Sequence, residues 1–281
     1  MKSSVIAQQF KLAAIDLDGT LLGPDREISA ENARAVRQLQ SAGVQVVLAS
    51  GRHYQNMRRY ADVLPGVQWI VSCQGGESAD LARNLILNRD FLSTEATRQI
   101  LAMPQTSAFT SVVYTADGIL TAADWNPDLQ FYSDLAGRRP HQLAASRLVD
   151  KPAFKIIWMG EPDEIEKAQA NTTPPPGIQM VRTHERLLEI MPADVTKASG
   201  LKHITNRLGI NASEVMTFGD GDNDVPMFEW SGASFAMAHG WPSAIRSATH
   251  ITPAGPLETA FARGVEHAFE SGLLSETNSR N

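Results

Sequence analysis

Leu12-Ala13-Ala14-Ile15-Asp16-Leu17-Asp18-Gly19-Thr20 sets two carboxylates two positions apart at the end of a short apolar run. An apolar run of this length followed by a turn signal predicts a buried strand giving way to a loop. At that junction Asp16 and Asp18 become candidate chemistry. A carboxylate ionised at neutral pH is a weak nucleophile, and a neighbouring acid protonates a leaving oxygen when its surroundings raise its pKa. Gly19 and Thr20 suit a turn that brings backbone N–H groups near an anion. Aspartates after strands also cap turns, so the meaning of this pair depends on what else the chain brings to the same place.

Beyond this strand the first 75 residues alternate. Ser29 is placed to cap a helix carrying Ala33, Val36 and Leu39 on one stripe, with Gly43 at its end. A strand over Val44–Ala49, a helical stripe of Tyr54, Met57, Ala61 and Leu64 stopped by Pro65-Gly66, and a strand over Trp69–Ser72 follow. The rhythm resumes after Pro192. Leu201, Ile204 and Leu208 form a stripe ended by Gly209, and Val215–Phe218 is a strand running into Gly219-Asp220-Gly221-Asp222-Asn223-Asp224. Short strands near Ser234–Met237 and Thr249–Ile251 precede a helix around Leu257–Phe269, and the polar tail from Ser275 is expected to fray. Nearly continuous apolar strands between amphipathic helices predict an α/β fold, a Rossmann-like parallel sheet with helices on both faces.

The middle third reads differently. Ser111–Thr115 and Ile119–Ala122 flank Ala116-Asp117-Gly118 as a hairpin. Phe154–Met159 is a predicted strand, Glu164–Ala170 a short helix, and Ile178–Thr183 with Leu187–Met191 a second strand pair. The expected organisation is a discontinuous core, residues 1–79 and 190–281, interrupted by an α+β insertion over 80–189. Thr172-Thr173-Pro174-Pro175-Pro176-Gly177 is a stiff surface spacer within the insertion.

The chain of 281 residues is long enough for one large domain or two modest ones, and its 43% hydrophobic and 20% charged residues are those of a globular protein. A net charge of -6 without any Lys/Arg cluster argues against a nucleic-acid surface. No apolar stretch approaches the roughly 20 residues that span a bilayer, and the N-terminus lacks a sustained apolar leader. A cytoplasmic protein without membrane partners is expected. The single cysteine, Cys73, excludes an internal disulfide and a multi-thiolate metal site, and its place after Trp69–Ser72 marks it as a core residue. Seven scattered histidines without a paired spacing give no zinc centre.

Three predicted core strands end in polar residues: Asp16 and Asp18, then Ser50-Gly51-Arg52, then Asp220 to Asp224. Strand carboxyl ends of an open parallel sheet share one edge, so these groups should converge. Carboxylates gathered there repel one another unless a cation neutralises them. Oxygen ligands without His or Cys favour a hard ion, Mg²⁺ where phosphates are also bound. The Ser50 hydroxyl and the Lys197 ammonium suit the non-bridging oxygens of a phosphoryl group.

These residues in this order resemble the haloacid dehalogenase-like (HAD) hydrolase superfamily. The motifs are Asp16-Leu17-Asp18-Gly19-Thr20, Ser50 within Ala49-Ser50-Gly51-Arg52, Lys197, and Gly219 to Asp224. The stretch from Glu189-Ile190-Met191-Pro192 to Lys197-Ala198-Ser199-Gly200-Leu201 is similar to the Cof-type subgroup, whose large cap lies between the second and third motifs. The resemblance implies a Mg²⁺-dependent phosphatase acting on a small phosphorylated metabolite, a sugar phosphate or similar phosphomonoester, through an aspartyl phosphate. In that reading Asp16 is the nucleophile, Asp18 the acid and base, and Ser50 and Lys197 hold the phosphoryl oxygens. Mg²⁺ would lie on Asp16, the Asp18 carbonyl and Asp220, with Asp224 supporting its water shell and Asn223 fixing Lys197 or the phosphate. Ser50 has the further reading of a helix cap, and Lys197 that of a helix-start lysine. Arg52 either binds substrate beside Gly51 or pairs with a core acid; Asp222 reads as a solvated loop carboxylate and His53 as a helix-start residue. One departure stands out: relatives commonly follow the third strand with Asn-Gly, and here Gln74 precedes Gly75 and Gly76, which alters reach at a substrate-facing position. Lys155, Arg182 and His184 are cap residues read as surface or as specificity contacts. A phosphomutase, a glycosyl-phosphate phosphatase and a non-catalytic metabolite-binding regulator are the alternatives.

Overall fold

The computed structural model describes residues 10–103, 106 and 108–275; the first nine residues and the polar tail beyond Ser275 lie outside them. The chain opens with β1 (Leu12–Ile15), α1 (Ala30–Ser41), β2 (Gln45–Ala49), α2 (Tyr54–Asp62) and β3 (Trp69–Ser72), followed by β4 (Glu77–Asp80) and β5 (Leu85–Arg89). The middle segment holds α3 (Thr94–Ala102), β6 (Thr110–Thr115), β7 (Gly118–Thr121), α4 (Pro127–Ala136), β8 (His141–Gln142) and α5 (Ala145–Leu148). It continues with β9 (Ala153–Met159), α6 (Pro162–Asn171), β10 (Ile178–His184) and β11 (Leu187–Pro192). Last come α7 (Lys197–Leu208), β12 (Val215–Gly219), α8 (Val225–Trp230), β13 (Ala233–Ala236), α9 (Pro242–Ser247), β14 (His250–Ile251) and α10 (Ala260–Glu270).

Two sheets result. The first has eight strands in the order β14-β13-β12-β1-β2-β3-β4-β5, and the second six in the order β10-β11-β9-β6-β7-β8. From β14 to β3 the large sheet is parallel, as the sequence predicts. Its central strands β13, β12, β1 and β3 are buried along their whole length. Ala13 and Ile15 pack with Val36 and Leu39 of α1, Met57 of α2 and Phe261 of α10, whereas Leu12 and Ala14 pack with Leu201 and Ile204 of α7 and Phe228 of α8. The alternation of side chains across a strand sends successive residues of β1 to opposite layers of helices.

The sequence did not announce β4 and β5, which extend this sheet antiparallel to β3. Glu77-Ser78-Ala79-Asp80 carries three polar side chains, yet all four residues are buried. Each polar side chain there has a specific partner: Glu77 takes Arg89 at 2.6 Å, Ser78 donates to the Gly200 carbonyl at 2.9 Å, and Asp80 takes Arg83 at 2.7 Å. Pairing of this kind removes the penalty that normally keeps such residues at the surface.

Local signals behave as read elsewhere. Ser29 Oγ caps α1 by accepting from Asn32 N at 3.1 Å, and Gly43 follows that helix at φ +80. The next helix is capped by His53 rather than Ser50, the imidazole accepting from Gln55 N at 3.2 Å. Leu64 lies beyond the end of α2 but is still buried in the turn that follows. In the second sheet β6 and β7 form the expected hairpin and β10 and β11 the expected antiparallel pair. No helix among the described residues is long and apolar enough to cross a membrane.

Two glycines let α7 reach the edge of the large sheet. Gly75 adopts φ +109 in the turn after β3, and a Cβ there would fall on the Thr196 carbonyl. Gly200, on α7, faces Gly75 so closely that its own Cβ would stand 2.9 Å from the Gly75 Cα. That approach seats the first turn of α7, with Thr196 as its N-cap and Lys197 as its first residue, beside β3. Gly75→Ala is therefore expected to cost about 2–4 kcal/mol, from the left-handed backbone and the clash together. Chemical denaturation of the two proteins checks it, and an unchanged midpoint would contradict the close crossing.

Candidate active site

The chain leaves β1 toward β2 on one side and, much later, returns through β12 on the other, so a crevice opens between β1 and β12 at the carboxyl ends of the strands. Asp16 follows β1, Ser50 follows β2 and Asp220 follows β12, and all three line one cleft with Asp18, Arg52 and Asn223. The convergence expected of these distant segments is present.

Lys197 lies at the centre, fully buried. Its ammonium donates to Asp16 Oδ1 at 2.5 Å and to Asp224 Oδ1 at 2.6 Å. Burial works against its charge, but the two carboxylates outweigh burial and hold its pKa above the ordinary lysine value. The reading of Lys197 as an exposed helix-start residue is thereby excluded, although it does begin a helix. Asp224 is fully engaged: its second oxygen accepts from the backbone N–H groups of Asp220 and Gly221, both at 2.9 Å. It organises the loop rather than facing the cleft.

Asp220 accepts from Thr20 Oγ1 at 3.1 Å. Burial first, then Asp224, pushes its pKa up to about 7. Asp16 is likewise raised, by burial first and by Asp224, Asp220 and Asp18, against the pull of Lys197. Oxygens of Asp16, Asp220 and Asp224 all lie within 4.8 Å of one another. Three carboxylates packed this closely, balanced by one lysine and offering oxygen donors alone, fit a hard divalent cation.

Asp18 stands apart from this cluster, about half exposed, and forms a two-pronged ion pair with Arg52 at 2.7 and 2.5 Å. Of the two roles open to Arg52, pairing with an acid is the one present, and the acid is Asp18. Ser50 is buried, and its Oγ accepts from Arg52 N at 3.2 Å. The hydrogen bonds of Lys197 go to Asp16 and Asp224, while Asn223 donates to Gln74 Oε1 at 3.1 Å, and Gln74 Nε2 donates to Glu189 Oε2 at 3.1 Å. Gln74, at φ +61, thus joins the large sheet to the small one. The longer amide turns toward a carboxylate of the six-stranded sheet. Asp222 is half-buried and accepts from the Ser243 hydroxyl, so it is less solvated than its sequence context indicated. Cys73 is buried, and burial raises its thiol pKa to about 12, in keeping with a core residue.

The opposite wall comes from the second sheet and α4. Tyr114, Tyr132, Leu135, Ile157 and Leu187 give it an apolar face, with Arg182, His184 and Glu189 among them. Tyr132 donates to Tyr114 Oη at 2.6 Å. Arg182 and His184 do line the cleft, half-buried, and Arg182 Nε is buried without a hydrogen-bond partner among the described residues. Lys155 corrects the surface reading: it is 1% exposed and pairs with Glu189 at 2.7 Å. Neither Glu189 nor Thr20 was singled out as a site residue beforehand. The signal for the first was a lone lysine inside the otherwise apolar strand Phe154–Met159, which demands a buried acid.

The profile of the haloacid dehalogenase-like hydrolase family matches residues 13–256. The chain belongs to that family. Its relatives include the 5-amino-6-(5-phospho-D-ribitylamino)uracil phosphatase of Bacillus subtilis, 26% identical over 262 residues and covering 92% of this chain and 95% of that protein. The HMP-PP phosphatase of Escherichia coli is 25% identical over 247 residues, 87% of this chain and 90% of that one. A solved subclass IIB sugar phosphatase of the HAD superfamily shares the fold at a TM-score of 0.80 and 17% identity, covering 92% of this chain and 98% of that chain. The resemblance read from the four motifs is thus established at the level of family and fold for this hydrolase.

The raised carboxyl groups predict a pH-dependent response to metal. A carboxyl whose folded pKa exceeds its unfolded value favours folding while protonated, so stability in the absence of metal falls as pH rises from about 4 through about 7. A cation relieves that penalty only when the carboxylates are ionised. The rise in melting temperature on adding Mg²⁺ is therefore expected to be larger at pH 8 than at pH 5 in a thermal-shift titration.

Proposed function

We propose that this hydrolase is a Mg²⁺-dependent phosphatase that cleaves a small phosphorylated metabolite, a sugar phosphate or similar phosphomonoester, through an aspartyl phosphate. The observation that carries the proposal is the buried Lys197 ammonium bound at once to Asp16 and Asp224, beside a cluster of carboxylates with no nitrogen or sulfur ligand. A structural ion pair needs one acid. Two acids on one lysine, with a third carboxylate close by, is an arrangement for handling a multiply charged ligand.

Asp16 is the nucleophile in this mechanism. Lys197 keeps its carboxylate oriented and screens the approach of an anionic phosphoryl group. Asp16 attacks phosphorus in line, the P–O bond to the leaving group breaks, and Asp18 delivers a proton to the departing oxygen. Asp18 then takes a proton from the water that opens the aspartyl phosphate, returning Asp16 to a carboxylate and releasing phosphate. Arg52 fixes where the Asp18 carboxylate stands. Ser50 and Lys197 hold non-bridging oxygens, with Gly51 alongside, and Asn223 and Gln74 complete that wall. Asp16, the Asp18 carbonyl and Asp220 would hold Mg²⁺, with Asp224 behind them; the cation supplies charge neutralisation for the phosphoryl oxygens.

The six-stranded sheet and its helices act as the cap. The apolar face of Tyr114, Ile157 and Leu187 with Arg182, His184 and Glu189 suits a leaving group that has a ring or carbon face and polar substituents. One relative is a 5-amino-6-(5-phospho-D-ribitylamino)uracil phosphatase, which supports the substrate class.

Asp16→Asn is expected to lower Mg²⁺-dependent phosphate release from an aryl phosphate by at least about 1000-fold, since the variant removes the group that forms the covalent bond. Retained turnover would overturn the assignment. Chelator-treated native protein is expected to lose release of phosphate and to regain it on addition of Mg²⁺, measured in the same assay.

A further inference from the structure

Lys155 is the feature that the reaction, as described, leaves unused. It projects from β9 of the cap sheet, yet its ammonium donates to the backbone carbonyl of Gly51 in the core at 2.8 Å. Its other contacts are Glu189 Oε1 at 2.7 Å and the face of the Tyr114 ring, with 4.6 Å to the centroid. Two oxygens and a ring face occupy the three donors of an ammonium. Lys155 and Glu189 are neighbours on one face of the cap sheet: Lys155 lies opposite Tyr114 on β6, and Glu189 lies opposite Ile157, two positions along from Lys155. An apolar pair would fill this space without the cost of desolvating two charges, so packing alone does not account for the ions.

The carbonyl that Lys155 grips belongs to the peptide between Gly51 and Arg52. In a trans peptide C=O and N–H point opposite ways, so drawing the Gly51 oxygen toward Lys155 aims the Arg52 N–H the other way. That N–H donates to Ser50 Oγ at 3.2 Å. A hydroxyl that accepts there has its own proton to donate elsewhere, and Ser50 lines the cleft with Asp16. A second connection runs through Glu189, whose other oxygen accepts from Gln74, while the Gln74 N–H donates to the Ser50 carbonyl at 3.1 Å. The serine is thus braced from two sides by residues tied to the cap.

We infer that Lys155, held by Glu189, is a positioning residue that orients the Ser50 hydroxyl through the Gly51–Arg52 peptide, so that the phosphate cradle is set only when the cap sits on the core. The inference rests on the reading of Ser50 as a phosphoryl-holding group. It makes phosphate affinity a property of the cap as well as of the core.

A binding cycle tests it on the full chain. Lys155→Met combined with Glu189→Gln removes both charges together, leaving neither ion unpaired. Calorimetric titration with inorganic phosphate in the presence of Mg²⁺ is expected to give an affinity about tenfold weaker than native, the change carried by one charge-assisted hydrogen bond. In a Ser50→Ala background the same pair of substitutions is expected to change phosphate affinity by less than about twofold, because the hydroxyl they orient is gone. Equal losses in both backgrounds, no loss in either, or no phosphate binding by the native protein would each overturn the inference. Should circular dichroism find the doubly substituted protein unfolded, Lys155→Arg takes its place. Its planar fork keeps the charge but displaces the donor, and about a threefold loss confined to the Ser50 background is expected; equal changes in both backgrounds, or none, overturn the inference here too. Aryl phosphate turnover by native protein, measured alongside, tests the hydrolytic reading separately, since the cycle reads binding alone.

Discussion

The contact between one buried ammonium and two buried carboxylates organises this molecule. Lys197 reaches Asp16 at the end of β1 and Asp224 beyond β12, and so closes the crevice that the strand order opens. Without the lysine, three acids would face one another in a poorly hydrated space, and their repulsion would oppose the folded state. With it, one positive charge still falls short of balancing them, and burial first, with the neighbouring carboxylates adding to it, raises the pKa values of Asp16 and Asp220. The same imbalance that strains the protein alone prepares it for a divalent cation and a phosphoryl group.

Helix capping and a close backbone approach bring Lys197 into position. The helix it begins is capped reciprocally by Thr196 and Ser199, and the helix approaches the sheet through the facing glycines at 75 and 200. Polar side chains then finish the job that apolar packing began. Ser78 donates to the Gly200 carbonyl from the buried edge strand β4, and Gln74 links Asn223 to Glu189 across the two sheets. His53 caps α2 and also contacts the Thr115 carbonyl at 2.8 Å, another junction between the helices of the large sheet and the small sheet. The seam between the sheets is therefore rich in specific hydrogen bonds, whose directionality sets relative position more sharply than hydrophobic contact does.

What was legible in the sequence follows from which signals are local. The parallel strands β1, β2, β3 and β12 are apolar runs with turn residues at their ends, and the chemistry sits on those ends, so fold and candidate site were readable together. The antiparallel strands β4 and β5 were not, because the buried Glu77 and Ser78 find their partners in Arg89 and Gly200, which no short window around them contains. Lys155 and Glu189 were obscured for the same reason: each charge sits in an apolar strand, 34 positions apart by their numbering, and only the register of the cap sheet makes them neighbours. Asn223 was placed correctly in the cleft, but its partner turned out to be Gln74, the residue at which the sequence departs from the common pattern.

The connection between β11 and α7 sets a boundary on how this architecture can be recombined. Glu189 lies in the cap sheet and Lys197 begins the core helix, with only the short passage through Pro192 and Thr196 between them. A graft that exchanged the cap for that of another family member would have to cut inside this passage, and any change in its length would pull on the lysine that balances the acids. The other junction, between β5 and α3, carries no residue of the charged cluster. The insertion is thus asymmetric: one junction lies away from the charged cluster, and the other leads directly into it.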